Sequence, residues 1–275
     1  YQHSQSDSQE YNRSWIAWNP LTQSVGQSGP ANLSERWTKE YKYDFQTTVN
    51  YEKTINKNYI KVLAGFSTES FRSDYIQGYR KNFINESLQE LNAGDASTQT
   101  NAGGADQWAF ASFFGRLNYA YDDRYLFEAN FRHDGSSRFA PSKQWGTFPS
   151  LSLGWNINKE NFMKDITFID KLKPRVSWGQ LGNAEKVGLY LWFGGIDSGP
   201  YYNFDGNQVF GTRPSDPENR ELVWETTTFY NAGLDGSFLN GKYTFEVDFW
   251  KKNTDDIILT IPISTVIGSS SSSQT

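Results

Sequence analysis

The sequence holds no cysteine, one methionine and two histidines in 275 residues. Without cysteine there is neither a disulfide framework nor a thiolate metal site. His3 and His133 lie far apart in the sequence with no third ligand beside either, so they do not compose a zinc or iron site. No run approaches the roughly 18 consecutive apolar residues of a membrane helix. The opening YQHSQSDSQE lacks the basic start and apolar stretch of a signal peptide, and the closing GSSSSSQT is loop-like, so an internal piece of a longer protein is expected. No Gly-x-Ser-x-Gly nucleophile elbow occurs. The net charge of -5 and pI near 5.2 argue against a nucleic-acid partner held by phosphate neutralisation.

Aliphatic residues are also scarce. Hydrophobic residues make up 37% and mean hydropathy is -0.69, yet 17% of the chain is aromatic, with 10 Trp, 16 Tyr and 20 Phe. A polar chain with that many rings lacks the aliphatics of an ordinary core but suits a barrel wall, with rings toward lipid and polar groups toward a wet lumen.

The recurring period is two. Tyr125, Phe127, Ala129 and Phe131 alternate with Leu126, Glu128, Asn130 and Arg132; Leu151, Leu153, Trp155 and Ile157 alternate with Ser150, Ser152, Gly154 and Asn156. Tyr41, Tyr43, Phe45, Thr47, Val49 and Tyr51 fall on one face of another run, and Tyr243, Phe245, Val247 and Phe249 on one face of a fourth. The pattern predicts strands at roughly 35–55, 58–77, 107–121, 124–134, 147–157, 173–181, 224–239 and 241–254. Short turns are expected at Asn56-Lys57, Asp122-Asp123 and Asn240-Gly241, and long polar loops at about 78–106, 134–145 and 182–222. The stretch 158–172 reads as a short helical or irregular crossing. Residues 1–34 are expected to be an extracellular loop or irregular segment, 35–267 part of a barrel, and 268–275 a loop tail. A soluble β-sandwich also alternates, but its strands usually run about 5–6 residues. Rings clustered beside the short turns, such as Tyr119, Tyr121 and Tyr125, suit the aromatic girdle of a membrane surface.

The runs FGRLNYAYDDRYLFEANFRHDGSSRF (114–139), WGTFPSLSLGWNINKENFM (145–163), LKPRVSWGQLGN (172–183) and WETTTFYNAGLDGSFLNGKYTFEVDFWKKNTDDIIL (224–259) resemble, in this order, the SusC/RagA class of TonB-dependent outer-membrane transporters. The resemblance spans about residues 40–267. It implies an all-β, antiparallel transmembrane barrel of 22 strands, of which this chain supplies about eight, with a plug in the lumen. It further implies import of an oligosaccharide or, next, an oligopeptide; engagement of TonB through an upstream segment; and a SusD-like surface lipoprotein acting as a lid. Outer-membrane lipid is the surrounding medium, and no cofactor or catalytic residue is implied.

The segment Asp134-Gly135-Ser136-Ser137-Arg138-Phe139 reads as a strand-to-loop transition, in which Gly135 permits a bend and Asp134 pairs with Arg138 or caps the turn; a direct ligand contact is the alternative. GGADQW (103–108) and WFGGIDSG (192–199) lack the Lys-Ser or Lys-Thr of a phosphate loop and read as flexible. Carboxylate pairs such as Asp122-Asp123 and Asp255-Asp256 sit at turns or strand ends, where solvation accounts for them. The remaining candidates are Trp192, Phe193, Tyr201, Tyr202 and Phe204, rings in a Gly- and Asp-rich loop. Flat apolar faces beside carboxylates suit sugars or peptides; packing within the loop or against a lid subunit is the other reading. The remaining function classes are a non-transporting structural or adhesive barrel and a soluble all-β glycan-binding module.

Overall fold

The computed structural model describes residues 2–21, 24–27, 29–214, 218–259, 261, 262, 264, 273 and 274. Its strands are β1 (Gln2–Asn12), β2 (Ile16–Asn19), β3 (Ser24–Gln27), β4 (Asn32–Ile55), β5 (Asn58–Lys81), β6 (Thr100–Tyr121), β7 (Tyr125–Ser136), β8 (Trp145–Trp155), β9 (Ile169–Asn183), β10 (Ile196–Phe204), β11 (Asn207–Pro214), β12 (Glu225–Phe238) and β13 (Tyr243–Asp255). Nine hydrogen-bond in the order β1-β4-β5-β6-β7-β8-β9-β12-β13, while β2-β3 and β10-β11 form separate ribbons. The eight expected strands are present with ends shifted by a few residues. Strands β5 and β6 run further than expected, shrinking the 78–106 loop to 82–99. The 158–172 crossing contains 3-10 turns at Ile157–Lys159 and Asn161–Met163. The 268–275 tail lies, apart from Ser273 and Gln274, outside the described residues.

The chain divides into two compact units. The first comprises Tyr1–Asp44 and Ser70–Trp108. Here the 1–34 segment differs from the irregular reading: β1 pairs antiparallel with β4 without interruption from Gln2↔Lys42 to Asn12↔Asn32. Its sequence, QHSQSDSQEYN, carries no apolar alternation and is almost wholly exposed, so the backbone ladder rather than a buried face holds it. A small core gathers Ala31, Leu33 and Phe83, with Tyr11 edge-on to Phe83 at 5.4 Å and Leu91 and Ala93 packed against it. Asp95 accepts from the Ser97 amide at 2.9 Å, capping the 3-10 turn Ala96–Thr98.

The second unit comprises Phe45–Glu69 and Ala109–Thr275. From β6 to β13 the registers keep parity, so rings and charges separate cleanly. Phe127 faces Tyr119 and Leu153; Leu153 faces Val176; Val176 faces Ala232; Ala232 faces Phe249. The opposite face is polar. Arg116 donates to Asn130 at 2.7 Å, Asn130 to Ser150 at 3.2 Å and Asn118 to Glu128 at 2.5 Å. Further along, Arg175 reaches Asp235 at 3.0 Å, Glu246 at 2.5 Å and Asp248 at 2.7 Å. Gly233 makes room for this cluster: a Cβ there would lie 2.6 Å from Asp248 Oδ1 and 2.8 Å from Arg175 Cζ.

The expected short turns form. Asp122 and Asp123 both take positive φ, 54° and 52°, the backbone of a tight hairpin turn that short polar side chains tolerate. Leu239, Asn240 and Gly241 are left-handed in succession; the Leu239 amide donates to the Phe168 carbonyl at 2.9 Å and the Gly241 amide to Asp170 at 2.9 Å. At the end of the sheet that holds these turns, Glu160 is buried and gathers Tyr125 OH at 2.8 Å, Trp155 Nε1 at 3.0 Å and Arg124 at 3.2 Å. Arg124 also pairs with Asp122 at 3.0 Å, and Asp122 with Lys57 at 2.9 Å, tying two hairpin turns to the crossing.

The Tyr125 hydroxyl, the Trp155 indole and Arg124 hold the Glu160 carboxyl below the ordinary range. Because the folded-state value is depressed, its stabilisation is present above the ordinary Glu value of about 4.3 and is lost as pH falls through the folded-state value. Glu160→Gln is expected to lower the unfolding midpoint near neutral pH and to narrow the gap to the unaltered protein below about pH 4. Unfolding midpoints measured across that range check this; a gap independent of pH sinks it.

Candidate functional site

At the opposite end of β7 and β8 from those turns, a dry core forms on the polar side of the sheet. Phe148 lies on the same face of β8 as Ser150 and Ser152, and Phe110 on the same face of β6 as Ser112, so both rings belong to the face that carries the charges. Phe139, Phe148, Ala184, Val187, Leu222 and Trp224 close into one cluster, with Phe110, Leu191 and Ile258 packed against it. Trp224 lies 5.0 Å from Phe139 and 5.5 Å, edge-on, from Phe148, and its indole N–H donates to the Gln144 carbonyl at 3.0 Å. Gly182 lies directly under the Phe148 ring, leaving no space for a side chain. The 184–191 segment is thereby folded onto the polar face.

The Asp134-to-Phe139 motif belongs to this anchor. Asp134 pairs with Arg132 at 3.0 Å, in place of the expected Arg138. Arg138 instead donates through Nη1 to the Val187 carbonyl at 2.6 Å, clamping the incoming segment. Gly135 is buried, and a Cβ there would meet the Trp145 ring at 2.9 Å. Trp145 stacks on His133 at 4.8 Å, and His133 shares a hydrogen bond with Thr147 at 2.9 Å. Among the described residues no group of three or more His, Asp or Glu side chains is placed to hold a metal ion.

The five candidate rings follow the anchor but do not form one surface. Trp192 is half-buried, with its indole nitrogen enclosed, and meets the exposed Phe193 edge-on at 5.5 Å. Tyr201, Tyr202 and Phe204 lie in β10, part of a hairpin within the stretch expected to be loop. Asp205 and Gly206, at φ of 51° and 79°, make its two-residue turn. Tyr201 faces Phe210 across the ribbon, 6.1 Å away, while Tyr202 faces Val209 and Phe204 faces Asn207. Alternation therefore sets Tyr201 on one face and Tyr202 with Phe204 on the other. Tyr201 and Phe204 are each 64% exposed.

Two features escaped the sequence reading. One is the anchor core, although Phe139 and Trp224 end and begin motif runs. The other is the charge cluster around Arg175, foreshadowed by the polar-face positions of Arg175, Asp235 and Asp248. Beside it lies a cavity of about 550 Å³ lined by Lys61, Asn118, Glu128, Lys173, Arg175 and Asn231.

A family model described as TonB dependent receptor-like, beta-barrel matches residues 1–274. TonB-dependent receptor SusC of Bacteroides thetaiotaomicron is 36% identical over 234 residues, covering 82% of this chain and 22% of that protein. TonB-dependent receptor P39 of Formosa agariphila is 35% identical over 238 residues, covering 86% and 22%. The chain thus spans about a fifth of these relatives' length. Among solved structures, the RagAB peptide transporter superposes with a TM-score of 0.81 at 24% identity over 99% of this chain and 29% of that one, and the RagAB importer in its closed-closed state with a TM-score of 0.82. With the family model covering nearly every residue and a wall that separates rings from charges, the chain belongs to the TonB-dependent receptor-like β-barrel family of outer-membrane proteins.

Proposed function

We propose that this chain is part of the wall of a plugged 22-stranded importer, which takes up an oligosaccharide or, next, an oligopeptide across the outer membrane. It works with TonB through a segment upstream and with a SusD-like lipoprotein as lid. The observation that carries this reading is the anchor. A dry core fastens the 184–191 segment, which leads into the ring-bearing 192–204 stretch, onto the polar face, which in a barrel is the face of the lumen. Rings carried on from that anchor are in reach of what enters the lumen. Residues 82–99 and 184–222 lie outside the cell in this reading, and Asp122-Asp123 and Asn240-Gly241 on the periplasmic side. An oligosaccharide is preferred because rings beside polar loop groups match a ligand with apolar faces and hydrogen-bonding edges. The peptide carried by RagAB keeps oligopeptide as the second choice. The chemistry is transport, with no covalent step. A structural or adhesive barrel would share the wall, but would accumulate no substrate inside the cell.

Uptake by cells carrying the full-length protein is expected to depend on TonB. Tyr201→Ala is expected to weaken substrate binding by the purified transporter, since losing an aromatic platform removes about 1–2 kcal/mol of apolar burial, roughly tenfold or more in affinity. Trp192→Ala should weaken it too, with some loosening of the hairpin because that indole is partly enclosed. TonB-independent uptake overturns the import reading. Unchanged binding with loss of the lid subunit instead makes the rings a protein contact. A tag inserted at Asn240-Gly241 and stained on intact cells would invert the topology.

The same reading sets Phe127, Ala129 and Phe131 toward lipid and Glu128, Asn130 and Arg132 toward the lumen. Phe131→Arg, about midway along β7, is then expected to cost about 2–4 kcal/mol, while Asn130→Asp is mild. A mild Phe131→Arg beside a costly Asn130→Asp in reversible-folding measurements would show the faces exchanged.

A further inference from the structure

The ladder between β8 and β9 is short, running only from Ser150↔Gly179 to Gly154↔Arg175. On their other sides β8 stays paired to β7 as far as Tyr125↔Trp155, and β9 stays paired to β12 through Pro174↔Leu234 and beyond. The break has a cause in β9. Leu172 directs its amide to Asn158 Oδ1 at 3.3 Å, and the Asp170 carbonyl accepts from Asn158 Nδ2 at 2.9 Å, so one side chain stands in for the missing strand. Amides two residues apart in a strand point to the same neighbour. The next amide on that side would belong to Pro174, which has no N–H to give.

The seam opens as a groove of about 520 Å³ on the ring face, within the range of about 300–1,000 Å³ typical of ligand sites. Tyr125, Leu153 and Trp155 line it from β7 and β8, and Pro174 and Val176 from β9. The one charged residue in its lining, Arg175, sends its guanidinium to the opposite face, where Asp235, Glu246 and Asp248 hold it. Tyr125 and Trp155 stack 6.3 Å apart and are fixed at their polar ends, since both donate to the buried Glu160, at 2.8 Å and 3.0 Å. Apolar ring bodies with anchored polar tips suit the boundary between water and hydrocarbon. From that boundary the groove runs past the exposed Leu153 and Val176, away from the Asp122-Asp123 turn.

Width and polarity select the occupant. Paired strands lie about 4.8 Å apart. A gap between two neighbours therefore suits a single hydrocarbon chain, whereas a helix is about 10–12 Å across with its side chains. A sugar or a peptide strand would leave hydrogen-bonding groups unpaired against this lining.

We propose that the groove holds one acyl chain of a phospholipid of the periplasmic leaflet, seated between Trp155 and Pro174 with its headgroup at the Glu160 end. The assignment rests on the wall reading above, which turns the ring face to lipid and sets the Asp122-Asp123 turn on the periplasmic side. The chain fills a seam that backbone hydrogen bonds leave open.

The test uses the full-length transporter in liposomes of phosphatidylethanolamine whose acyl chain carries a diazirine, irradiated and digested, with the adducts located by mass spectrometry. Adducts on residues 153–155 and 174–176 are expected to exceed several-fold those on Val247 and Phe249, which are outward-facing and exposed on β13. Val176→Trp fills the groove and should remove that excess while leaving label at Val247 and Phe249 unchanged. The comparison within the unaltered protein needs no variant, so poor folding of Val176→Trp leaves the question decidable. Even labelling along the ring face, with no preference for the groove, overturns the proposal and leaves only ordinary lipid contact. Undiminished groove labelling in a Val176→Trp protein with an unaltered unfolding midpoint overturns it too, as does preferential labelling of the groove by diazirine-bearing lipid A in place of the phospholipid. Absence of label at Val247 and Phe249 as well as in the groove would instead sink the wall reading itself, so the two failures are told apart.

Discussion

Everything in the second unit depends on one constraint: the side-chain period of two is never broken across the ladders from β6 to β13 until the register shift at Ser237/Phe238. Strand alternation separates two faces only locally, and a one-residue slip between any neighbours would carry one strand's rings among the charges of the next. Phe127, Leu153, Val176, Ala232 and Phe249 are joined partner by partner across successive strands. A two-solvent wall is the consequence, since apolar groups can face lipid only where no polar strand intrudes.

The two faces are stabilised by different physics. On the ring face, in the wall reading proposed above, transfer to lipid supplies the driving force, on the order of 25 cal/mol for each Å² of apolar surface. The polar face gains less. Half-exposed ion pairs such as those around Arg175 are each worth about 0–1 kcal/mol. Their role is to satisfy one another around a guanidinium packed against the bare Gly233 backbone, where a methyl group would displace either Arg175 or Asp248. Specific registration comes from this fit, and gross stability from the rings and the backbone ladder.

Period and turn chemistry made eight strands and three turns legible because both signals are local: alternation along one strand, and left-handed backbone at Asp122-Asp123 and Asn240-Gly241. Strand β1 was not legible for the opposite reason. With no apolar face of its own, it exists by pairing with β4, and nothing in QHSQSDSQEYN signals that partner. The β10-β11 hairpin was obscured by the Gly, Asp and Pro residues around it, which mark loops in general, although Asp205-Gly206 is a hairpin turn signal in its own right. The anchor core could not be read at all, since Phe139, Phe148, Val187 and Trp224 come from separate segments and meet only in three dimensions. For the same reason the expected partner of Asp134 gave way to Arg132, two residues back on the same strand face, freeing Arg138 to reach Val187.

That anchor changes what kind of object the 184–214 stretch is. A long loop left to itself would sample many conformations, and a ligand would have to offset the entropy of ordering it. Here the stretch leaves β9, is stapled at Val187 by Arg138 and by the Phe148 and Trp224 rings, and then enters a hairpin with its own ladder. Its rings are thus carried on short, ordered elements, with Tyr201 on one face and Tyr202 and Phe204 on the other. A ribbon with two aromatic faces can meet a ligand on one side and a protein surface on the other at the same time. The competing roles of substrate contact and lid contact are therefore compatible on a single hairpin, divided between its faces rather than between its residues in sequence.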